Sequence, residues 1–239
     1  MSGVGAQVSA SLEALGREFD IIAHNLANVS TVGYKRRCNR FTKVLEAQTQ
    51  QAGEEDSTSG IFDFSQGRLV QTDRTLDLAL YGKGFFVIET PDGPLYTRHG
   101  VFRTDETGQV VDAAGRLVAG EAGPVVIPEG IDLSQVSVGE DGRISAGPID
   151  IGQFRLVEFP EEEDQLVPAG QNCFQAPEDV DPVEAVECLI KQGYQEASNV
   201  RLTDELVNMI TVTRMYEANT RLLNVKRDAS RSMMSVAMG

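Results

Sequence analysis

An α+β fold is predicted: N- and C-terminal helices paired with each other, and a β-rich middle domain of hairpins. Three observations predict it. Apolar residues recur at alternating spacings of 3 and 4 near both ends of the 239-residue chain. Between the ends the apolar period falls to 2 and glycine-bearing turns are frequent. Charge divides the same way, with nets of +2 over residues 1–50, −19 over 51–200 and +2 over 201–239. The segments read as an N-terminal helix over 1–40, a linker or extended segment over 41–68, a β-rich domain over 69–197 and a C-terminal helix over 198–239.

The first helix rests on Leu12, Leu15, Phe19, Ile22, Leu26 and Val29, an a/d seam of period 3.5 that Val4 and Val8 extend upstream. Ser30, Thr31 and Val32 are poor helix formers, and Gly33 is placed to supply a left-handed C-cap. Lys35, Arg36 and Arg37 then lie where a helix C-terminus favours positive charge. Residues 50–60, QQAGEEDSTSG, read as a linker.

From Leu69 to Phe159 the pattern is that of strands. Hairpins are expected at Asp92-Gly93, around Gly108, within VDAAGRLVAG and at Asp141-Gly142. Twelve glycines between Gly82 and Gly147 suit a sheet that turns often. GQFRLVEF reads as one further strand, residues 160–182 as a surface loop, and ECLIKQGYQEAS as a strand leading back.

In the last segment Ser198 or Asn199 is read as an N-cap, with Asp204 and Glu205 in the early turns. Leu202, Leu206, Met209, Thr213, Tyr216, Thr220 and Leu223 repeat at 4 and 3, and no Gly or Pro interrupts Val200 to Met238. Matched heptad seams need a partner, so the two helices are expected to pair. The alternative is that each packs alone on the β domain. Burying six seam residues is worth about 1.5–3 kcal/mol each. Ordering about sixty residues costs roughly 1–2 kcal/mol apiece. The helices are therefore expected to be marginal in a lone chain and to order among neighbours.

Composition excludes several classes. Hydrophobic content is 41% and charged content 24%, ordinary for a globular protein. The acidic middle, in a chain of net charge −15, argues against binding nucleic acid. No stretch approaches the ~20 apolar residues of a membrane span, and the start, MSGVGAQVSA, is not a Sec-type signal. Cys38, Cys173 and Cys188 form neither a disulfide framework nor a zinc motif. His24 and His99 lack a second histidine at ligand spacing. Gly82 and Gly84 precede a strand, so they form a turn instead of a phosphate loop. The acidic runs Glu54–Asp56 and Glu161–Asp164 have no apolar frame to raise a pKa. No GxSxG or HExxH occurs. No catalytic, cofactor-binding or metal site is nominated.

Three blocks carry a family resemblance. NLANVSTVGYKR contributes Asn25, Leu26, Ala27, Asn28, Thr31, Gly33, Tyr34 and Lys35. DLALYGKGFFVIETPDGPLYTRHGVFRTDETGQVV contributes Gly82, Gly84, Phe85, Phe86, Tyr96, Thr97, Arg98, Gly100, Phe102, Asp105 and Gly108. GYQEASNVRLTDELVNMITVTRMYEANTRLL contributes Ser198, Asn199, Val200, Met209, Ile210, Arg214, Tyr216, Glu217 and Asn219. Their combination resembles the axial rod and hook proteins of the bacterial flagellum.

The resemblance implies a coiled-coil inner domain made of the terminal helices and a β-rich outer domain. It implies a structural subunit of the basal-body rod that stacks helically into a hollow, torque-transmitting shaft. The implied partners are copies of itself, other rod and hook subunits and the flagellar type III export apparatus, which needs no Sec signal. Subunit contacts would fall on Leu12, Leu15, Phe19, Ile22, Leu26, Val29, Leu206, Met209, Ile210, Tyr216 and Leu223. In this reading the chain turns outward at Gly33, Asn25 and Asn28 bond local backbone, and the Lys35–Arg40 cluster meets an acidic neighbour. GEAGPVVIPEG looks like the proximal rod subunit and MITVTRMYEAN like the distal one; the proximal is favoured. The competing readings are a soluble β-rich binding module with helical appendages, and an enzyme.

Overall fold

The computed structural model of the chain describes residues 3–39, 61–160 and 162–237. The linker read at 50–60, together with Arg40, the acidic run Glu54–Asp56 and Glu161, lies outside the described residues. The chain divides into two compact units. One holds helix α1 (Gly3–Ala27), residues 37–39 and helix α2 (Leu202–Ala237). The other holds residues 28–36 and 61–200.

The larger unit is built on a ten-stranded antiparallel sheet. Its main order is 167–170, 173–175, 95–97, 85–89, 117–120, 110–111 and 103–104. Strand 156–158 pairs with the start of 85–89, strand 183–184 with 156–158, and strand 123–124 with 117–120. The run FFVI explains why 85–89 lies at the centre. Side chains alternate across a strand, and both faces of this one are covered. Phe86 and Ile88 join a core with Leu78, Leu80, Phe102 and Phe154. Phe85 and Val87 join a second core with Phe62, Phe64, Phe159 and Phe174. In the second core the rings of Phe62 and Phe174 meet edge-to-face at 4.9 Å, as ring quadrupoles prefer.

The expected turns at Asp92-Gly93, Gly108, Gly115 and Asp141-Gly142 each join two strands. Three expectations need correction here. GQFRLVEF is two strands, because the chain leaves the edge of the three-stranded sheet 136–138, 143–146 and 149–153 at Phe154 and enters 156–158. Residues 160–182 are not a featureless loop. They contain a short 3-10 turn and the hairpin 167–170 and 173–175, whose turn residues Gln171 and Asn172 both have positive φ. The return segment breaks at Gly193 into 189–192, beside 78–81, and 194–196, beside 69–71.

The coiled-coil expectation is overturned. The chain is a large β-rich body with a ten-stranded sheet and two helices among the described residues. Within their unit α1 and α2 run antiparallel and touch. Polar side chains bond across them: Asn25 Nδ2 donates to Glu205 Oε1 at 3.3 Å, and Asn219 Nδ2 to Ser11 Oγ at 3.2 Å. The predicted apolar seam is not sealed. Of its members only Ile22 is buried. Phe19, Leu206, Ile210 and Tyr216 are exposed, and Leu12, Leu15, Leu26, Val29, Met209 and Leu223 are half-buried. The more covered face of α2 carries Glu205, Met209, Val212, Asn219 and Leu223, a stripe rotated away from the one read from spacing. Thr213 and Thr220, counted as seam positions, instead donate to their own helix at Met209 O and Tyr216 O.

Candidate assembly interface

Polar side chains bond across α1 and α2, apolar Ile22 and Val212 are buried within the same unit, and other apolar side chains of α2 face out. Asn25 is fully buried; its Nδ2 donates to the Arg37 carbonyl at 2.9 Å and its Oδ1 accepts from the Arg37 N–H at 2.8 Å. The asparagine thus clasps backbone twelve residues further on. On α2 the outward apolar side chains are Leu202, Leu206 (45% exposed), Val207, Ile210 (55%), Met215, Tyr216, Leu222 and Val225. A surface helix normally turns its large apolar side chains inward, and those left exposed along α2 mark a candidate interaction site. Among the family-motif residues on α2, Arg214 and Glu217 are exposed, and Glu217 pairs loosely with Arg221 at 3.9 Å.

The other motif residues converge inside the β unit on a buried ion cluster. Lys35, Arg98 and Glu196 are each at most 2% exposed. Lys35 Nζ bonds Glu196 Oε1 at 2.7 Å and the carbonyls of Ser65 and Phe64 at 2.8 and 3.3 Å. Arg98 Nη1 stands 3.6 Å from Glu196 Oε2, and Nη2 donates to Gly82 O at 2.8 Å. The guanidinium lies 5.4 Å from the centre of the Phe85 ring, a cation–π placement. Glu196 Oε1 also accepts from Gly67 N–H at 2.8 Å. One carboxylate therefore serves two buried cations. Burial pulls the Lys35 ammonium below the usual lysine range, Glu196 opposes this and Arg98 reinforces it.

Segment 28–36 is fastened to the same body. Gly33 N–H donates to Glu196 O at 2.7 Å, Asn172 Nδ2 to Val32 O at 3.1 Å, and Arg36 N–H to Asn199 Oδ1 at 2.7 Å. Gly33 has φ +67°, and a Cβ there would lie 2.7 Å from the His99 backbone, so only glycine fits. Asn28 and Thr31 close the turn before it through Oδ1 and Oγ1 at 3.1 Å. Tyr34 and Tyr96 are buried, and Tyr96 meets Phe159 edge-to-face at 4.9 Å. Thr97 Oγ1 donates to Asn172 O at 2.8 Å. Gly100 lies so close to strand 78–81 that a Cβ would strike Leu78 O.

Three local roles are corrected. Gly33 is not the cap of α1, which ends six residues earlier, although it is left-handed. Lys35 does not serve a helix dipole, because Glu196 takes it. Asn199 and Ser198 do not cap α2. Asn199 Nδ2 donates to Asp63 O and Ser65 O at 2.8 and 3.1 Å, and Ser198 Oγ accepts from Val200 N–H at 3.2 Å. Glu196 was the residue missed in the sequence. An acidic residue inside a strand just before the stretch Ala197-Ser198-Asn199, with two unmatched basic motif residues elsewhere, was the available signal.

The three thiols are buried. Burial pushes Cys188 up to about 11, with Arg98 opposing, and raises Cys173. Such thiols are poor nucleophiles. Among the described residues, no cluster of His, Cys, Asp or Glu is placed to hold a metal ion, and no helix is long and apolar enough to cross a membrane.

Comparison with known proteins covers both units. Residues 7–35 match the family model "Flagella basal body rod protein". Residues 79–146 match "Flagellar hook protein FlgE/F/G D1 domain", and residues 191–236 match "Flagellar basal body rod FlgEFG protein C-terminal". The flagellar basal-body rod protein FlgG of Buchnera aphidicola subsp. Schizaphis graminum is 34% identical over 89% of this chain and 91% of its own length. The rod protein FlgF of Caulobacter vibrioides is 33% identical over 91% of each chain. The FlgG of Bacillus subtilis is 32% identical over 92% of this chain and 93% of its own.

Proposed function

This chain belongs to the flagellar basal-body rod protein family, and on that premise we propose that it acts by stacking, head to tail, through the outward faces of its terminal helices. It is a structural subunit of the basal-body rod. Its assembly partners are other rod and hook subunits and copies of itself. Its role involves no catalysis. It takes its place after export by the flagellar type III apparatus, and the stack forms the hollow shaft that carries torque to the hook. A contact that joins two different surfaces does not close on itself and so extends into a helical array.

One observation carries the assembly reading: α2 shows solvent a row of large apolar side chains while keeping Glu205 and Asn219 toward α1. Of the residues named for subunit contact, Phe19, Leu206, Ile210 and Tyr216 are available to a neighbour, and Ile22 serves the interior. Segments 1–40 and 198–239 are the assembly segments in this reading, and 69–197 is the β body.

The test is Phe19→Asp with Leu206→Glu in the full chain. Both positions are exposed, so the isolated chain should keep its helicity and its unfolding midpoint. Assembly into rods, read by electron microscopy of basal bodies and by motility of the producing cells, should be lost. Normal rods built from this variant would refute the reading.

A further inference from the structure

Among the sheet edges of the β unit, the one formed by strand Val183–Glu184 has an unusual surface. Strand Val183–Glu184 pairs with 157–158 and, among the described residues, with no strand on its other side. The stretch 178–190, EDVDPVEAVECLI, holds no Lys or Arg, and Val183, Val186 (84% exposed) and Leu189 are open to solvent. Leu189 is the cross-strand partner of Tyr81, which is also exposed. The patch is held firmly from below: Gly82 and Gly84 pack against Glu187 and Cys188, and Gly82 O is the acceptor for buried Arg98. Lys191 Nζ lies 5.2 Å from the Tyr81 ring at the rim. An apolar patch beside an open sheet edge normally invites association.

The same chain offers a matching shape and charge. On the outward side of α2, Val207, Ile210, Arg214, Arg221 and Val225 follow one another at 3, 4, 7 and 4 residues, which keeps them on one face. All five are exposed. Two arginines set between valine and isoleucine complement Glu184 and Glu187 set between Val183, Val186 and Leu189. Charge gives the reason for such a contact. Each subunit carries −15, made of −19 on residues 51–200 and +2 on each of residues 1–50 and 201–239. Stacked copies repel unless the basic end of one meets the acidic surface of another.

We propose that the Val183–Leu189 edge with Tyr81 is a docking surface for a second copy of this chain, and that its occupant is the outward Val207–Val225 stripe of that copy's α2. This rests on the subunit reading above and names one of its contacts. The surfaces differ, so the contact is open-ended.

Complementary charge reversal tests it in the full chain, by sedimentation velocity over a range of protein concentration at low and high salt. Unchanged protein should associate, more weakly as salt rises. Arg214→Glu with Arg221→Glu, and separately Glu184→Arg with Glu187→Arg, should each weaken association about tenfold or more while circular dichroism stays unchanged. The four changes combined in one chain should restore most of what was lost. No self-association of the unchanged chain, no effect of either reversal, or a combined variant no better than its parents overturns the proposal. If the reversals are silent while Phe19→Asp with Leu206→Glu abolishes rods, the subunit reading stands and this docking surface falls.

Discussion

Replacing Glu196 by Gln removes the one carboxylate that faces two buried cations and changes almost nothing in volume. Gln keeps an oxygen for the Gly67 N–H, so the Glu196–Gly67 bond of 2.8 Å is not the main loss. What remains are Lys35 and Arg98, each about as buried as any residue in the chain. Breaking a buried pair by removing one partner costs about 3–5 kcal/mol. Two features moderate this. Lys35 already lies below its usual range, so it sheds its proton more readily than an ordinary lysine, and the neutral amine still donates to Ser65 O or Phe64 O. Arg98 keeps Gly82 O and the Phe85 ring. The expected loss is therefore about 3 kcal/mol at neutral pH, the lower end of that range. A domain has only about 5–15 kcal/mol to lose.

The assay is urea unfolding of the full chain, followed in the β unit's transition by near-UV circular dichroism of its tyrosines. The midpoint should fall with little change in slope. A pH series adds a second readout. Lys35 has a folded pKa below the unfolded 10.5, so the unfolded chain binds more protons between those two values. This group's share of stability therefore rises with pH through that window, and it should rise more steeply in Glu196→Gln, where nothing holds the proton on. A loss under about 1 kcal/mol, the size of an ordinary hydrogen bond, would refute the reasoning.

Two further outcomes follow from the same body. Gly33→Ala forces a left-handed residue against the His99 backbone 2.7 Å away and should cost about 3 kcal/mol or more, checked by thermal unfolding. His99 is held below the usual histidine range, burial being the chief cause and Asp112 opposing. Its contribution is complete above about pH 6.5 and is lost as pH falls from there through the lowered folded pKa; His99→Gln should flatten the acid limb of a stability–pH curve relative to the unchanged chain.

The fold was legible where local chemistry decides it. Asp92-Gly93, Gly108 and Asp141-Gly142 named their hairpins because few residues accept those turn conformations. FFVI was read only as an arm of the Asp92-Gly93 hairpin, and its burial on both faces came from the structure. The hairpin at Gln171-Asn172 stayed hidden, since its turn carries no glycine and Pro168 lies in its edge strand. The helices were found, but their facing was not. Spacing by 3 and 4 fits several overlapping stripes on α2, and the covered one includes Glu205 and Asn219, residues that an apolar pattern passes over. The motif blocks singled out Lys35 and Arg98 as members, but Lys35 was read as a helix-end or cluster charge and Arg98 had no reading of its own. The reason is Glu196, and a pairing across 161 residues leaves no trace in local periodicity.

That separation bears on when the protein becomes itself. A polypeptide that emerges one end first, from a ribosome or from any narrow conduit, presents Lys35 early, Arg98 midway and Glu196 only after most of the chain has passed. Until the last of them appears, the stretch around Gly33 has no place to lodge and the two cations stay in water. Commitment to the native topology is thereby deferred to the end of delivery, and a partly emerged chain remains threadable for almost the whole of its passage.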